Sequence, residues 1–331
     1  MTLIEAIGIV GAGAWGTALA QVAARAGRRV LIWAREPEVA ESINTGHENT
    51  LFLKGVPLDP AIRATNRLAD LAGVDALLVV TPAQFLRPTL AELSGHLLQT
   101  TPIVLCSKGI EQGTGLLMTE VCAAVAGAHP LAVLSGPTFA AEVAKGLPTA
   151  ITMACADEAL GATLSAAIGL PTFRPYWSPD VIGAEVGGAV KNVLAIACGI
   201  AEGKQLGENA RAALITRGFA EMIRFGKAKG AQYETLAGLC GLGDLILTCS
   251  STQSRNMSLG LAIGQGRRMQ DILAERKTVA EGAYTAPVLL ETAQKLGVDM
   301  PITEAVVQLL YNDANVDTVI RDLLNRPFRP E

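Results

Sequence analysis

The chain has 331 residues, enough for two domains with their own cores and too many for one ordinary core. Half of them are hydrophobic, few are aromatic and 34 are glycine, which suits a compact α/β protein built from Ala, Val, Leu and Ile. A net charge of −4 with both signs interspersed offers no basic stripe for nucleic acid and no polybasic segment for a membrane surface.

The opening "MTLIEAIGIVGAGAWG" carries Glu5 where a signal peptide needs a positive start, and its apolar run ends in a glycine turn. No uncharged apolar run reaches the length of a membrane span. Six scattered cysteines, with no C-x-x-C pair, sit mostly in apolar surroundings, as reduced packing cysteines do. The expectation is a soluble cytoplasmic protein without a metal site and without insertion into a membrane.

The first predicted strand is "AIGIV" from Ala6, and Gly11, Gly13 and Gly16 follow it in G-x-G-x-x-G spacing. Gly11 permits the tight turn, Gly13 lets a pyrophosphate approach the backbone, and Gly16 lets a helix pack on its strand. That helix then offers free N–H groups and a favourable dipole to phosphates. Because the glycines end a strand and open a helix, they predict dinucleotide binding.

The second strand, "RVLIW" from Arg29, ends near Arg35, with Glu36 behind it. An acid there would hold the ribose hydroxyls of NAD; a guanidinium suits the 2′-phosphate of NADP. Arg35 therefore favours NADPH/NADP. The alternative is a solvated Arg35 with Glu36 on the ribose and NADH/NAD as cofactor, and use of both is compatible with the sequence.

Further strands are predicted at "AIRAT" from Ala61, "ALLVV" from Ala76, "PIVLC" from Pro102, "LAVLS" from Leu131 and "AITMA" from Ala150. A last short one lies within Thr172–Asp180, before a Ser-Pro-Asp helix start. Alternation with helical stretches predicts a parallel, doubly wound sheet covered on both faces. Lys108 follows one of these strands, and Gly136 and Thr138 follow the next, at the carboxyl edge where open α/β sheets bind ligands.

Beyond Asp180 strand signals almost vanish, and "AALITRGFAEMIRFGKAKG", "SLGLAIGQG", "QDILAER", "APVLLETAQKLG" and "PITEAVVQLLYN" read as helices. The fold class is thus α/β: an N-terminal Rossmann-like doubly wound domain (1–182) plus a C-terminal all-helical domain (183–331).

Within "GGAVKNVLAIACG", Lys191 sits in a stretch that is apolar on nearly every face of a helix, with Asn192 beside it. Such a helix is buried, and a buried ammonium is costly unless paired. "GLGDLILTC" isolates Asp244 among apolar residues, with Thr248 one turn later on the same face. "TQSRNMSLG" puts Ser254, Arg255 and Asn256 at a helix start, a natural anion site. Lys191 and Asp244 could form no more than a structural ion pair, with Arg255 solvated. Taken together the residues fit hydride chemistry better: the cofactor gives a hydride, and a desolvated lysine held by a carboxylate gives the proton.

The strings "GAGAWGTALA", "SKGIE", "SGPTFAAEVAKGLPTA", "GGAVKNVLAI", "ALITRG", "GLGDLILTC", "QSRN" and "VAEG" closely resemble the bacterial NAD(P)-dependent glycerol-3-phosphate dehydrogenases over essentially the whole chain. The resemblance implies reversible reduction of dihydroxyacetone phosphate to sn-glycerol 3-phosphate, towards the glycerophospholipid backbone, by a cytoplasmic homodimer. It puts the proton donor/acceptor on Lys191 and substrate contacts on Lys108, Gly136, Thr138, Asp244, Ser254, Arg255 and Asn256. Asn192 and Thr248 are added as partners of the substrate hydroxyls. Cofactor contacts fall on Ala14, Trp15, Arg35, Lys108, Ala140, Arg255, Val279 and Glu281, beside the glycines. Ala14 stands where relatives often carry serine or asparagine, which removes any side-chain hydrogen bond there. Two other readings are a lysine-dependent 3-hydroxyacid or ketopantoate-type dehydrogenase, which "QSRN" and "GLGDL" do not support, and a non-catalytic NADP-sensing regulator, which would have no use for a buried Lys191 and Asp244.

Overall fold

A computed structural model describes residues 3–275, 279–312 and 314–327. Its first half forms one sheet of β1 (Ala6–Val10), β2 (Arg29–Trp33), β3 (Arg63–Thr65), β4 (Ala76–Val79), β5 (Ile103–Leu105), β6 (Leu131–Ser135), β7 (Thr149–Ala154) and β8 (Phe173–Ser178). The spatial order is β3-β2-β1-β4-β5-β6-β7-β8. β1 through β6 pair in parallel, and the order reverses between β1 and β4, the switch point at which such sheets bind dinucleotides. Period-two alternation sorts the strand side chains between two cores. Ile7, Ile9 and Ile32 face one side of the sheet; Val10, Leu77 and Val79 face the other.

The expected all-parallel sheet is corrected at its far edge. β7 runs antiparallel to β6, and β8 follows β7 in parallel. The chain passes from β6 to β7 through the short helix Ala140–Lys145 and returns alongside β6 in the opposite direction.

The helices of this half are α1 (Ala14–Arg25), α2 (Pro37–Gly46), α3 (Leu86–Leu93), α4 (Met118–Ala126), α5 (Ala140–Lys145) and α6 (Glu158–Ile168). The second half contributes α7 (Val181–Gly203), α8 (Glu208–Lys229), α9 (Tyr233–Leu236), a π turn (Leu239–Gly243) and α10 (Asp244–Cys249). It continues with α11 (Arg255–Gly264), α12 (Met269–Glu275), α13 (Glu281–Lys295), α14 (Pro301–Tyr311) and α15 (Val316–Leu324). Arg276, the last residue of the predicted "QDILAER" helix, lies outside the described residues. α13 begins at Glu281, ahead of the predicted stretch "APVLLETAQKLG", and carries Pro287 in its interior.

α7 is the axle of the second half. Asp180 caps its first turn, Oδ1 accepting from Gly183 N at 2.8 Å, as the Ser-Pro-Asp signal implied. By length and hydropathy α7 could cross a bilayer, but 83% of its most apolar window is buried inside the protein. Ala184 joins the sheet-side core, whereas Val186, Ala189, Val190 and Val193 join the helical core. α7 therefore belongs to both halves. Against it lies α11, almost backbone to backbone: a Cβ on Gly199 would come within 2.0 Å of Met257 O, and one on Gly260 within 2.0 Å of Ile196 O. This close crossing fixes the start of α11 relative to the middle of α7.

Candidate active site

The glycine turn has the form that its spacing implied. Gly11 adopts φ +111°, closed to ordinary side chains, and a Cβ on Gly16 would meet Gly11 O at 1.8 Å. A Cβ on Gly13, by contrast, would project into open space. Gly13 is also the N-cap of α1 and offers no side-chain acceptor, so Ala14, Trp15 and Gly16 present first-turn N–H groups that no cap consumes. The indole nitrogen of Trp15 is buried without a partner. These features fit a pyrophosphate laid across the turn. Arg35 stands past the end of β2, exposed, and its guanidinium pairs with Glu36 at 2.9 Å; it touches none of the other expected residues.

The carboxyl ends of β5 and β6 supply the next group. Lys108 Nζ donates to Gly136 O at 3.1 Å and to Asp244 Oδ2 at 2.6 Å. Thr138 Oγ1 donates to the same Gly136 carbonyl at 3.4 Å, and Ala140 opens α5. Gly188 of α7 lies directly above: a Cβ there would stand 2.9 Å from Ser135 Oγ and 3.3 Å from Lys108 Cγ. Its neighbour Gly187 admits the π turn, whose Cys240 O would be 2.4 Å from a Cβ. Two adjacent glycines thus let α7 pass between the sheet edge and the turn that delivers Asp244.

One helical turn on, Lys191 Nζ donates to Asp244 Oδ1 at 2.9 Å and to Thr248 Oγ1 at 2.9 Å. Thr248 in turn donates to Asp244 Oδ1 at 3.1 Å. Lys191 is 8% exposed and Asp244 1%. Burial, reinforced by the nearby Lys108 charge, brings Lys191 down to about 8, although Asp244 opposes the shift. Burial alone would raise Asp244, yet the two ammonium groups outweigh it and hold the carboxyl below its usual value. Each lysine spends two of its three N–H donors inside the cluster and retains one for an incoming oxygen.

A second chain of bonds runs from α7 to α13. Asn256 Nδ2 donates to Asn192 Oδ1 at 2.9 Å, and Gly282 N donates to Asn256 Oδ1 at 2.9 Å. Ser254 is the N-cap of α11, its Oγ accepting from Met257 N at 3.2 Å. Arg255 follows, open to solvent but walled by protein on most sides; desolvation lowers its guanidinium while Glu281 resists. Glu281 heads α13 two residues after Val279 and reaches the other half of the molecule, Oε1 accepting from Ala83 N at 3.2 Å. Its Oε2 and the Thr285 hydroxyl are buried without partners, and burial pushes the Glu281 carboxyl up to about 7.

Lys108, Lys191, Asp244 and Thr248 therefore meet in one cluster at the sheet edge, while Asn192 and Asn256 join a second network with Gly282. Sequence reasoning missed the second cation on Asp244, since Lys108 is 136 positions away. It also passed over Glu185, which the buried-charge argument applied to Lys191 would have singled out. A mostly apolar cavity of about 660 Å³, lined by Ala197, Leu214, Ile302 and Leu323 among others, contains none of the expected site residues.

Two family models match the chain. Residues 6–161 match the N-terminal and residues 180–321 the C-terminal part of NAD-dependent glycerol-3-phosphate dehydrogenase. A glycerol-3-phosphate dehydrogenase (NAD(P)+) of Parvibaculum lavamentivorans is 58% identical over 325 residues, 98% of each chain. One of Caulobacter vibrioides is 58% identical over 327 residues, 99% of each. Among solved structures, glycerol-3-phosphate dehydrogenase of Coxiella burnetii superposes with a TM-score of 0.94 at 39% identity, covering 97% of this chain and 99% of that one.

Proposed function

The chain belongs to the NAD-dependent glycerol-3-phosphate dehydrogenase family, and from that premise we propose that it reduces dihydroxyacetone phosphate reversibly to sn-glycerol 3-phosphate with NADPH or NADH. The observation that carries the reading is the Lys191–Asp244–Lys108 cluster at the carboxyl edge of the sheet. When bound, the nicotinamide supplies the hydride to C2 of the substrate.

The protein does the rest. As the C2–O double bond opens, the spare N–H of Lys191 transfers its proton to O2, leaving a neutral amine that regains a proton from solvent. Asp244 stays ionised; it holds Lys191 and Lys108 in place and balances their charge. Lys108 directs its remaining donor to the same region and stabilises developing negative charge on oxygen. Gly136, Thr138, Asn192 and Thr248 orient the substrate's hydroxyl and carbonyl groups. Arg255, with Asn256 and Ser254 at the start of α11, anchors the phosphate by a charge-assisted pair and the helix dipole.

The glycine turn, with Ala14, Trp15 and Gly16, takes the pyrophosphate, and Arg35 gives the preference for NADPH. Lys108, Ala140, Arg255, Val279 and Glu281 complete the cofactor surface. We divide the chain at 182/183, and read the protein as a cytoplasmic homodimer that supplies the glycerophospholipid backbone, as its family resemblance implies.

The test is the disappearance of the reduced nicotinamide absorbance on mixing protein, NADPH and dihydroxyacetone phosphate. Oxidation of the cofactor with this substrate is expected. No oxidation, or oxidation only with a keto acid, refutes the proposal.

A further inference from the structure

Lys191 can meet the substrate only if α7, which carries it, is held at a fixed height and rotation above the sheet edge. The helical half grips α7 on either side of Lys191, through the π turn at Gly187 and through α11 at Gly199. From α7 itself, the polar side chain of Glu185 reaches across to the sheet half. Glu185 is 6% exposed, and its carboxylate reaches the first turn of α4: Oε1 accepts from Thr119 N at 2.8 Å and Oε2 from Thr119 Oγ1 at 2.7 Å. The amide is one that a helix start leaves without an internal partner. α4 itself is fixed on the sheet by Met118, Val121 and Cys122, which share a core with Leu105 and Val133.

Glu185 and Lys191 are six residues apart, about 9 Å along the axis and about two-thirds of a turn round it. Between them lie Gly187 and Gly188, which present no side chain that could lock α7 against rolling on the strand ends. The Glu185 bonds to Thr119 join α7 to an element that is fixed on the sheet.

We propose that Glu185 is a positioning residue for the reaction, clasping α7 to α4 so that Lys191 stands at the distance and angle that proton transfer requires. The proposal rests on the assignment of Lys191 as the proton donor. An enclosed carboxylate is a costly clasp, and burial pushes Glu185 up to about 7. An amide of the same shape can make equivalent bonds, its oxygen accepting from Thr119 N and its NH₂ donating to Thr119 Oγ1. Glu185→Gln should therefore keep the clasp, whereas Glu185→Ala should lose it.

A control is available in the same molecule. Glu221 on α8 is equally buried and caps α14, accepting from Ile302 N at 2.6 Å and from Thr303 N and Oγ1 at 3.2 and 3.0 Å. It lies wholly within the helical half and touches no site residue, so its loss reports general destabilisation.

The experiment compares kcat, substrate KM, NADPH Kd and Tm for Glu185→Ala, Glu185→Gln, Thr119→Val, Glu221→Ala and Lys191→Ala, at a temperature where all are folded. Expected for Glu185→Ala is a kcat loss of about 10- to 100-fold, with KM and NADPH Kd within about threefold of wild type, since a misplacement of about 1 Å costs that much. Glu185→Gln should restore kcat to within about threefold, and Thr119→Val, which removes one of two bonds, should fall between them. Glu221→Ala should lower Tm and leave kcat unchanged. If Glu185→Ala does not fold, the Thr119→Val and Glu185→Gln pair decides by the same criterion.

An unchanged kcat in the clasp-breaking variants Glu185→Ala and Thr119→Val, a loss confined to KM, or an equal loss of kcat in Glu221→Ala would overturn the proposal. If Lys191→Ala is inactive while the clasp variants are normal, the clasp alone is refuted. If Lys191→Ala is itself active, the assignment of the proton donor fails first.

Discussion

Lys191 Nζ lies 2.9 Å from Asp244 Oδ1, an ion pair between residues 53 positions apart and almost wholly withdrawn from water. A pair so enclosed costs desolvation on both sides and is seldom kept for stability alone. Here one carboxylate serves two ammonium groups, one from each half of the molecule, and each of those keeps a donor in reserve.

The first prediction concerns Asp244→Asn. Removing the charge that favours the Lys191 ammonium should lower that group below about 8 by roughly one to three further units. At pH 7 the reduction should slow by about two- to hundredfold across that range, because less of the lysine carries its proton. A pH–rate profile of this variant checks the shift, and a midpoint equal to that of the wild type would remove Asp244 from the control of Lys191.

In the unaltered protein the pH dependence should have opposite signs in the two directions. Reduction needs the ammonium as donor, so its rate should be full below about 8 and fall as pH rises through that value. Oxidation needs the neutral amine as acceptor, so its rate should rise through the same value. Two profiles bending the same way would show that a different group titrates.

Arg255→Ala should act on substrate binding. A charge-assisted contact to phosphate contributes alike to ground and transition states, so KM should rise by about 10- to 100-fold with kcat little changed. A loss seen only in kcat would contradict the anchor.

For Arg35 the expectation is selective. Arg35→Ala should reduce kcat/KM for NADPH by about tenfold and leave NADH within about twofold, since only the 2′-phosphate meets the guanidinium. Glu36 already pairs with Arg35 at 2.9 Å, so Glu36→Ala should improve NADPH use by freeing the arginine. Equal effects on both cofactors would disprove the preference assigned to this residue.

Much of the fold was legible because its signals are local. Short runs of Val, Ile and Leu marked most strands of the sheet, the glycine spacing marked the first turn, and an apolar stretch on all faces marked α7. Thr248 could be paired with Asp244 because four residues are one helical turn. The reversed β7 was not legible, because residue preferences mark a strand but not the direction in which it pairs. Nor was Lys108 on Asp244, a contact set by the passage of α7 between a strand end and a π turn.

The Lys191–Asp244 pair was more legible than what supports it. A charge in apolar sequence is conspicuous, and that drew attention to Lys191 and Asp244. Glu185 carries the same signal, but its partner is a backbone amide and a threonine hydroxyl on α4, and nothing in the string announces them. Gly199 and Gly260 likewise look like ordinary small residues until two backbones are found in contact.

The central claim is that Lys191 exchanges the proton, and single-turnover oxidation of bound NADPH by dihydroxyacetone phosphate tests it most directly in Lys191→Met, which keeps the side-chain volume and loses the amine. The account predicts a rate lower by about 10²- to 10⁴-fold with NADPH Kd within about threefold of wild type, because the glycine turn is untouched. Hydride transfer at the wild-type rate in that variant would contradict it.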